Sequence, residues 1–150
     1  MSDQAAGLRA RLSPGALSLR VVGEPEGEAL RRALATLPVL EGRTWLAVGE
    51  QEVGPPLAGW LLWVDTARLD VADLYRRLKL AFPVGPGRTP VLCWLHDSRG
   101  GVSFPALDEE SARLLDNLGV TAARFLGIEL IRDPASWLSR HPSMVQASAG

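Results

Sequence analysis

The sequence predicts an α/β fold: a three-layer sandwich around a mostly parallel sheet of about five strands. Three observations lead there. Short apolar runs alternate along the chain with segments whose apolar residues recur at helical spacing. Several of those runs are apolar at nearly every position, as in strands covered on both faces. The length, 150 residues, is that of one domain with a single substantial core.

The elements follow in order. Residues 1–15 and the tail 142–150 are small and polar without a period, and read as flexible ends of a single domain over 16–141. "LSLRVV" (17–22) is a short strand. Ala29, Leu30, Ala33, Leu34 and Leu37 fall on one helical stripe, so residues 26–37 read as an amphipathic helix stopped by Pro38. "TWLAVG" (44–49) is a second strand, and "EQEVGPPLAG" (50–59) is too rich in Gly and Pro for a helix. "WLLWVD" (60–65) is the clearest strand. The short connection before it predicts an antiparallel pair with "TWLAVG", since a parallel crossover normally needs a dozen or more residues. Residues 68–82 supply the next helix, closed by "PVGPGR", and "TPVLCWLH" (89–96) is another buried strand. After the loop "DSRGGVSFP", the segment "ALDEESARLLDNLG" opens on an acidic turn and is predicted to stop at Gly119. "RFLGIELI" (124–131) reads as the last strand. "DPASWLSRH" is a closing helix with Asp133 as N-cap and Pro134 in its first position.

Composition narrows the function classes. Apolar residues make up 47% and charged residues 22%, a globular balance. A net charge of -1 offers nothing for nucleic acid or an anionic membrane, although fifteen of the sixteen basic residues are arginine. The single cysteine, Cys93, excludes an internal disulfide and a multi-cysteine zinc site, and its apolar run predicts burial. No apolar run approaches the ~18 residues of a membrane span, and the first residues are too polar for a secretory signal. The expectation is a cytoplasmic protein with no cofactor and no metal.

In a parallel sheet the ligand site lies at the carboxyl ends of the strands. That singles out three loops: Gly23 to Glu28, Asp65 to Arg68, and His96 to Gly101. The first has the strand–glycine–helix plan of a phosphate cradle, with Gly23 and Gly27 as weak candidates. A working cradle reads G-x-x-x-x-G-K-[ST], whose backbone N–H groups, lysine and hydroxyl hold phosphates and magnesium. Here the glycines stand one residue too close, Glu28 and Ala29 replace the lysine and hydroxyl, and Pro25 removes a donor. Glu24, Glu26 and Glu28 would repel a triphosphate. The loop reads as a turn whose acids suit a helix N-terminus. In the second loop, Asp65 closes an apolar strand, the place of a magnesium-orienting or phosphoacceptor aspartate, and equally that of a helix cap. The third carries His96 and Asp97. The only other histidine, His141, lies near the tail, and no G-x-S-x-G elbow occurs.

The order of "RVVGEPEGEALRRAL", strand–loop–strand, "WLLWVDTA", helix and "PVLCWLHDSRGG" resembles a small Ras/Arf-like GTPase domain over residues 17–140. The resemblance implies a G-domain-like fold. "HDSRGG" would sit where that family reads guanine, with Asp97 near its aspartate but without the asparagine and lysine. Matching "DTAR" to the family's D-T-A-G puts Arg68 in place of the glycine. What the resemblance implies is a pseudo-GTPase without nucleotide handling. Receiver, Toprim and RecA-like domains share parts of the pattern, and each lacks residues it would need. A receiver domain would use Glu24 and Glu26 as its acidic pair, together with Asp65.

Tryptophan is abundant, with five in the chain. Trp60 and Trp63 are three apart on one strand and so point to opposite faces. Tryptophan is enriched at interface hot spots. Trp137, on the short last helix, and Trp60 are the candidates for a protein-partner surface, with Arg76 and Arg77 as a solvated face or a docking site. The expected role is a non-catalytic protein-interaction or regulatory subunit. The alternative is an atypical nucleotide- or phosphoryl-dependent switch using Asp65.

Overall fold

A computed structural model describes residues 16–37, 44–48, 57–82 and 89–140. The chain forms β1 (Ala16–Val22), α1 (Gly27–Thr36), β2 (Thr44–Val48), β3 (Leu57–Asp65) and a 3-10 turn (Thr66–Arg68). It continues as α2 (Val71–Ala81), β4 (Thr89–Asp97), β5 (Val102–Ser103), α3 (Glu109–Leu126), β6 (Ile128–Ile131) and α4 (Pro134–Arg140). The expected ends 1–15 and 142–150, the stop at Pro38, and the loop residues 49–56 and 83–88 lie outside the described residues.

The sheet runs β2-β1-β3-β4, with β5 and β6 both pairing with β4. β1, β2, β3, β4 and β6 are mutually parallel, and β5 is the one antiparallel pairing among the described residues. β6 pairs with the first half of β4 and β5 with its last residues, so both lie along one edge. Without β5 this is the doubly wound order that flavodoxin and receiver domains share. It corrects one expectation. β2 and β3 are not an antiparallel pair: β1 lies between them and is parallel to both. The chain therefore passes from one side of β1 to the other between β2 and β3, despite the short separation.

The two faces follow from period-two alternation in strands that are apolar at nearly every position. On one face Leu61 and Trp63 of β3 and Leu92 and Trp94 of β4 pack with Ala29 and Ala33 of α1 and Trp137 of α4. On the other, Leu62, Val64, Val91, Cys93 and Leu95 pack against Leu74 and Leu78 of α2 and Leu115, Leu118 and Ala122 of α3. The three-layer sandwich is thus as expected. Cys93 is buried as its run predicted, and burial pushes its thiol pKa up to about 12.

Element ends show where local signals lost to packing. α3 does not stop at Gly119 but continues to Leu126, so "RFL" is helical and β6 begins only at Ile128. Ala122, one turn past Gly119, is fully buried against the sheet, and that packing outweighs the weak helix propensity of one glycine. The stop is Gly127, in the left-handed conformation with φ 66° and its N–H bonded to the Ala122 carbonyl. α4 follows its sequence signal: Asp133 accepts hydrogen bonds from the Ser136 N–H (3.1 Å) and hydroxyl (2.7 Å).

Candidate functional site

The carboxyl ends of β1 and β3 meet where the strand order reverses, the place where open α/β sheets bind ligands. A cavity of about 330 Å³ opens there, lined by Gly23, Glu24, Trp63, Asp65, Arg68, Asp70, Asp73, Leu74 and Arg77. The first two loops singled out in the sequence therefore converge. Gly23 has φ 123°, and a Cβ on it would stand 3.0 Å from the Trp63 carbonyl oxygen, so this turn requires glycine. Gly27 takes no part: it is the exposed first residue of α1, with open space where a Cβ would stand and no place in the cavity lining. Glu26 sits at the N-cap of α1 without a side-chain cap bond.

Asp65 accepts hydrogen bonds on Oδ1 from the Ala67 N–H (3.0 Å) and the Ser98 N–H (3.2 Å). Partial burial works to raise its pKa. Hydrogen bonds from Ser98 and Ala67 and the Arg68 charge outweigh this and hold the carboxyl below its ordinary value. The cap it makes is that of the 3-10 turn, and α2 is capped separately by Asp70, which accepts from the Asp73 N–H. Beside it the Thr66 hydroxyl donates to the His96 carbonyl at 3.3 Å. Asp65 thus ties the β3 end to the loop after β4.

Arg77 forms the opposite wall. Its Nε donates to Asp73 at 2.9 Å and its guanidinium meets Glu24 at 3.0 Å. These bonds raise the Arg77 pKa, Asp73 contributing more than Glu24. Hydrogen bonds from Arg77 and then Arg76 lower that of Asp73. The arginine pair of the sequence is therefore divided: Arg77 is half-buried in the cavity wall, while Arg76 is exposed and, among the described residues, paired with Asp73. The cavity's four carboxylates outnumber its two guanidinium groups, a balance that disfavours a polyphosphate.

Asp97 lies elsewhere. It accepts from the Arg99 N–H at 2.9 Å and lines a separate cavity of about 240 Å³ with Thr66, Arg99, Asp108 and Ser111. Asp65 and Asp97 do not share a site. Among the described residues no group of three or more His, Cys, Asp or Glu is placed to hold a metal ion.

Two further findings concern the aromatic residues. Trp137, expected at a partner surface, is fully enclosed at 0% exposure, with Trp45 at 5.4 Å and Gly59 beneath it. A seven-residue amphipathic helix has one buried stripe, and its largest side chain fills the space that Gly59 leaves open. Trp60 is half-buried, its ring 4.0 Å from that of Phe82 and 5.1 Å beneath the Arg20 guanidinium. It does lie on the opposite face from Trp63, as their spacing requires.

Sequence reasoning missed the cluster around β5. Trp94 Nε1 donates to Ser103 Oγ at 3.1 Å, and His96 Nδ1 stands 3.4 Å from the same oxygen. Among the described residues no carboxylate bonds the His96 ring. The readable signal was Gly100-Gly101, a hairpin turn between "LHD" and "VSF". No helix of the described residues is long and apolar enough to cross a membrane. Compared with known protein families, curated proteins and solved structures, the chain matches none.

Proposed function

We propose that this protein is a non-catalytic interaction or regulatory subunit of a larger assembly. The observation that carries the reading is the structural occupation of three charged groups at the strand ends. Asp65 holds two backbone N–H groups, Asp97 holds one, and Arg77 is shared between Asp73 and Glu24. Meanwhile α2 and α3 present large apolar side chains to solvent: Leu80 is 82% exposed, Val120 66% and Phe125 64%. Val120 also borders an apolar groove of about 430 Å³ between α3 and the edge strand β6. The pseudo-GTPase resemblance is compatible with this role but is not its support, which lies in the side-chain geometry. Thermal denaturation with GTP, ATP and Mg²⁺ tests it. No stabilisation is expected, and a gain of ~2–3 kcal/mol at saturating ligand would overturn the reading.

One observation favours a second reading, a phosphoryl-dependent switch. Asp65 ends the strand beside the switch point, on a cavity that Glu24 also lines, in the strand order of receiver domains. Incubation with a small acyl phosphate and Mg²⁺ distinguishes the two. A phosphoryl mass gain that Asp65→Asn abolishes would establish the switch.

A further inference from the structure

We propose that residues 98–104 form a flap over the Trp63–Trp94 pair and that Asp65 is its latch. The flap is held at its two ends and on Asp97, whose Oδ1 accepts the Arg99 N–H at 2.9 Å. β5 is two exposed residues long and, among the described residues, pairs with His96 and Asp97 at the end of β4. The Gly101 N–H reaches the Asp97 carbonyl at 2.8 Å, which closes the turn upon itself rather than upon the sheet. The flap returns to the sheet through the Phe104 N–H, bonded to the Leu95 carbonyl at 2.7 Å, and through Ser103 beneath Trp94 Nε1.

At that return Phe104 has φ 51°, a left-handed conformation that a bulky residue adopts only under constraint from its surroundings. Its ring meets the indole of Trp94 edge-on at 4.7 Å, and Trp94 in turn stacks with Trp63 at 6.4 Å. Both indoles are nearly fully buried. Phe104 and Ser103 thus lie against Trp94, whose stacking partner Trp63 lines the switch-point cavity.

The leading end of the flap is held across the sheet. Ser98 donates its N–H to Asp65 Oδ1, a bond to a charged acceptor between residues 33 positions apart. Asp65 belongs to the cavity wall, so the same carboxylate faces the cavity and holds the flap. A group that takes Asp65 Oδ1 from the cavity competes with Ser98 for it and loosens the flap. The structure therefore couples occupation of the switch point to exposure of the tryptophan pair. The coupling does not depend on whether the protein is a subunit or a switch.

Hydrogen–deuterium exchange of the full chain, read by mass spectrometry, tests the latch. In Asp65→Ala, amides of 98–104 are expected to exchange about tenfold faster, the effect of losing a hydrogen bond to a charged group. Amides of β1 and of the first half of β4 should keep wild-type rates. Unchanged exchange in 98–104, or acceleration of equal size throughout the sheet, overturns the proposal. Should Asp65→Ala fail to fold, Asp65→Asn decides, because its amide oxygen accepts the same bonds without charge. Acceleration of about threefold confined to 98–104 supports the latch, and wild-type exchange refutes it.

Discussion

Trp137 and Gly59 show how one residue's role is set by what faces it. A Cβ on Gly59 would stand 2.6 Å from Trp137 Cζ2, so the indole occupies the volume a side chain would need. Gly59→Ala is therefore expected to destabilise the fold by about 1–3 kcal/mol through overpacking. Trp137→Ala should cost about 3–5 kcal/mol, as for other large aromatics removed from cores. Urea denaturation of both variants measures these losses. A stable Trp137→Ala protein that had lost only partner binding would restore the surface role its sequence position suggested. Gly23 belongs to the same scale, since φ 123° and the adjacent Trp63 carbonyl both oppose a side chain. Its glycine is a requirement of the strand-to-helix turn, with no phosphate needed to explain it.

Among the elements, α3 separates two glycines that the sequence presents alike. Gly119 lies inside the helix with open space around it, whereas Gly127 caps it at φ 66°. Gly119→Ala should therefore stabilise the protein by about 0.5–1 kcal/mol, because alanine loses less backbone entropy in a helix. Gly127→Ala should destabilise it by roughly 1–2 kcal/mol, the cost of an L-residue in the left-handed region. Opposite shifts in melting temperature are the expected result. Shifts of the same sign would mean that the helix ends where local signals alone would end it. The strands behaved differently. β3 and β4 lie where uninterrupted apolar runs put them, because a strand buried on both faces tolerates few polar residues. β5 was missed because two exposed residues leave no such pattern.

For the molecule as a whole, stability should fall on the acid side. The carboxyls of Asp65, Asp73, Asp108 and Asp133 all titrate below their ordinary value, held there mainly by hydrogen bonds, against burial in the case of Asp65. A lowered folded-state pKa gives stability that is fully present above the unfolded value, about 4 for aspartate, and lost as pH falls through the folded value. Melting temperature is expected to be flat from pH 7 to about 5 and to decline below about 4. In Asp65→Asn the decline should be shallower, and an unchanged slope would show that the Asp65 bonds contribute nothing to it.

How much of this was legible turns on range along the chain. Apolar alternation, the Asp133-Pro134 start of α4 and the burial of Cys93 are local properties, each readable from a few neighbouring residues. The sequence also placed Gly23 and Asp65 at strand ends, where a parallel sheet brings loops together. It could not show that Asp65 bonds Ser98 or that Arg77 reaches Glu24, partners 33 and 53 positions away. By itself, then, the sequence determined the fold class and which stretches are buried, because hydrophobic burial acts on every residue according to its own chemistry. Only the tertiary structure decided the strand order, the division of Asp65 and Asp97 between two cavities and the enclosure of Trp137. Those depend on which distant backbone a strand edge or an indole meets, and that is settled by the packing of the whole sheet.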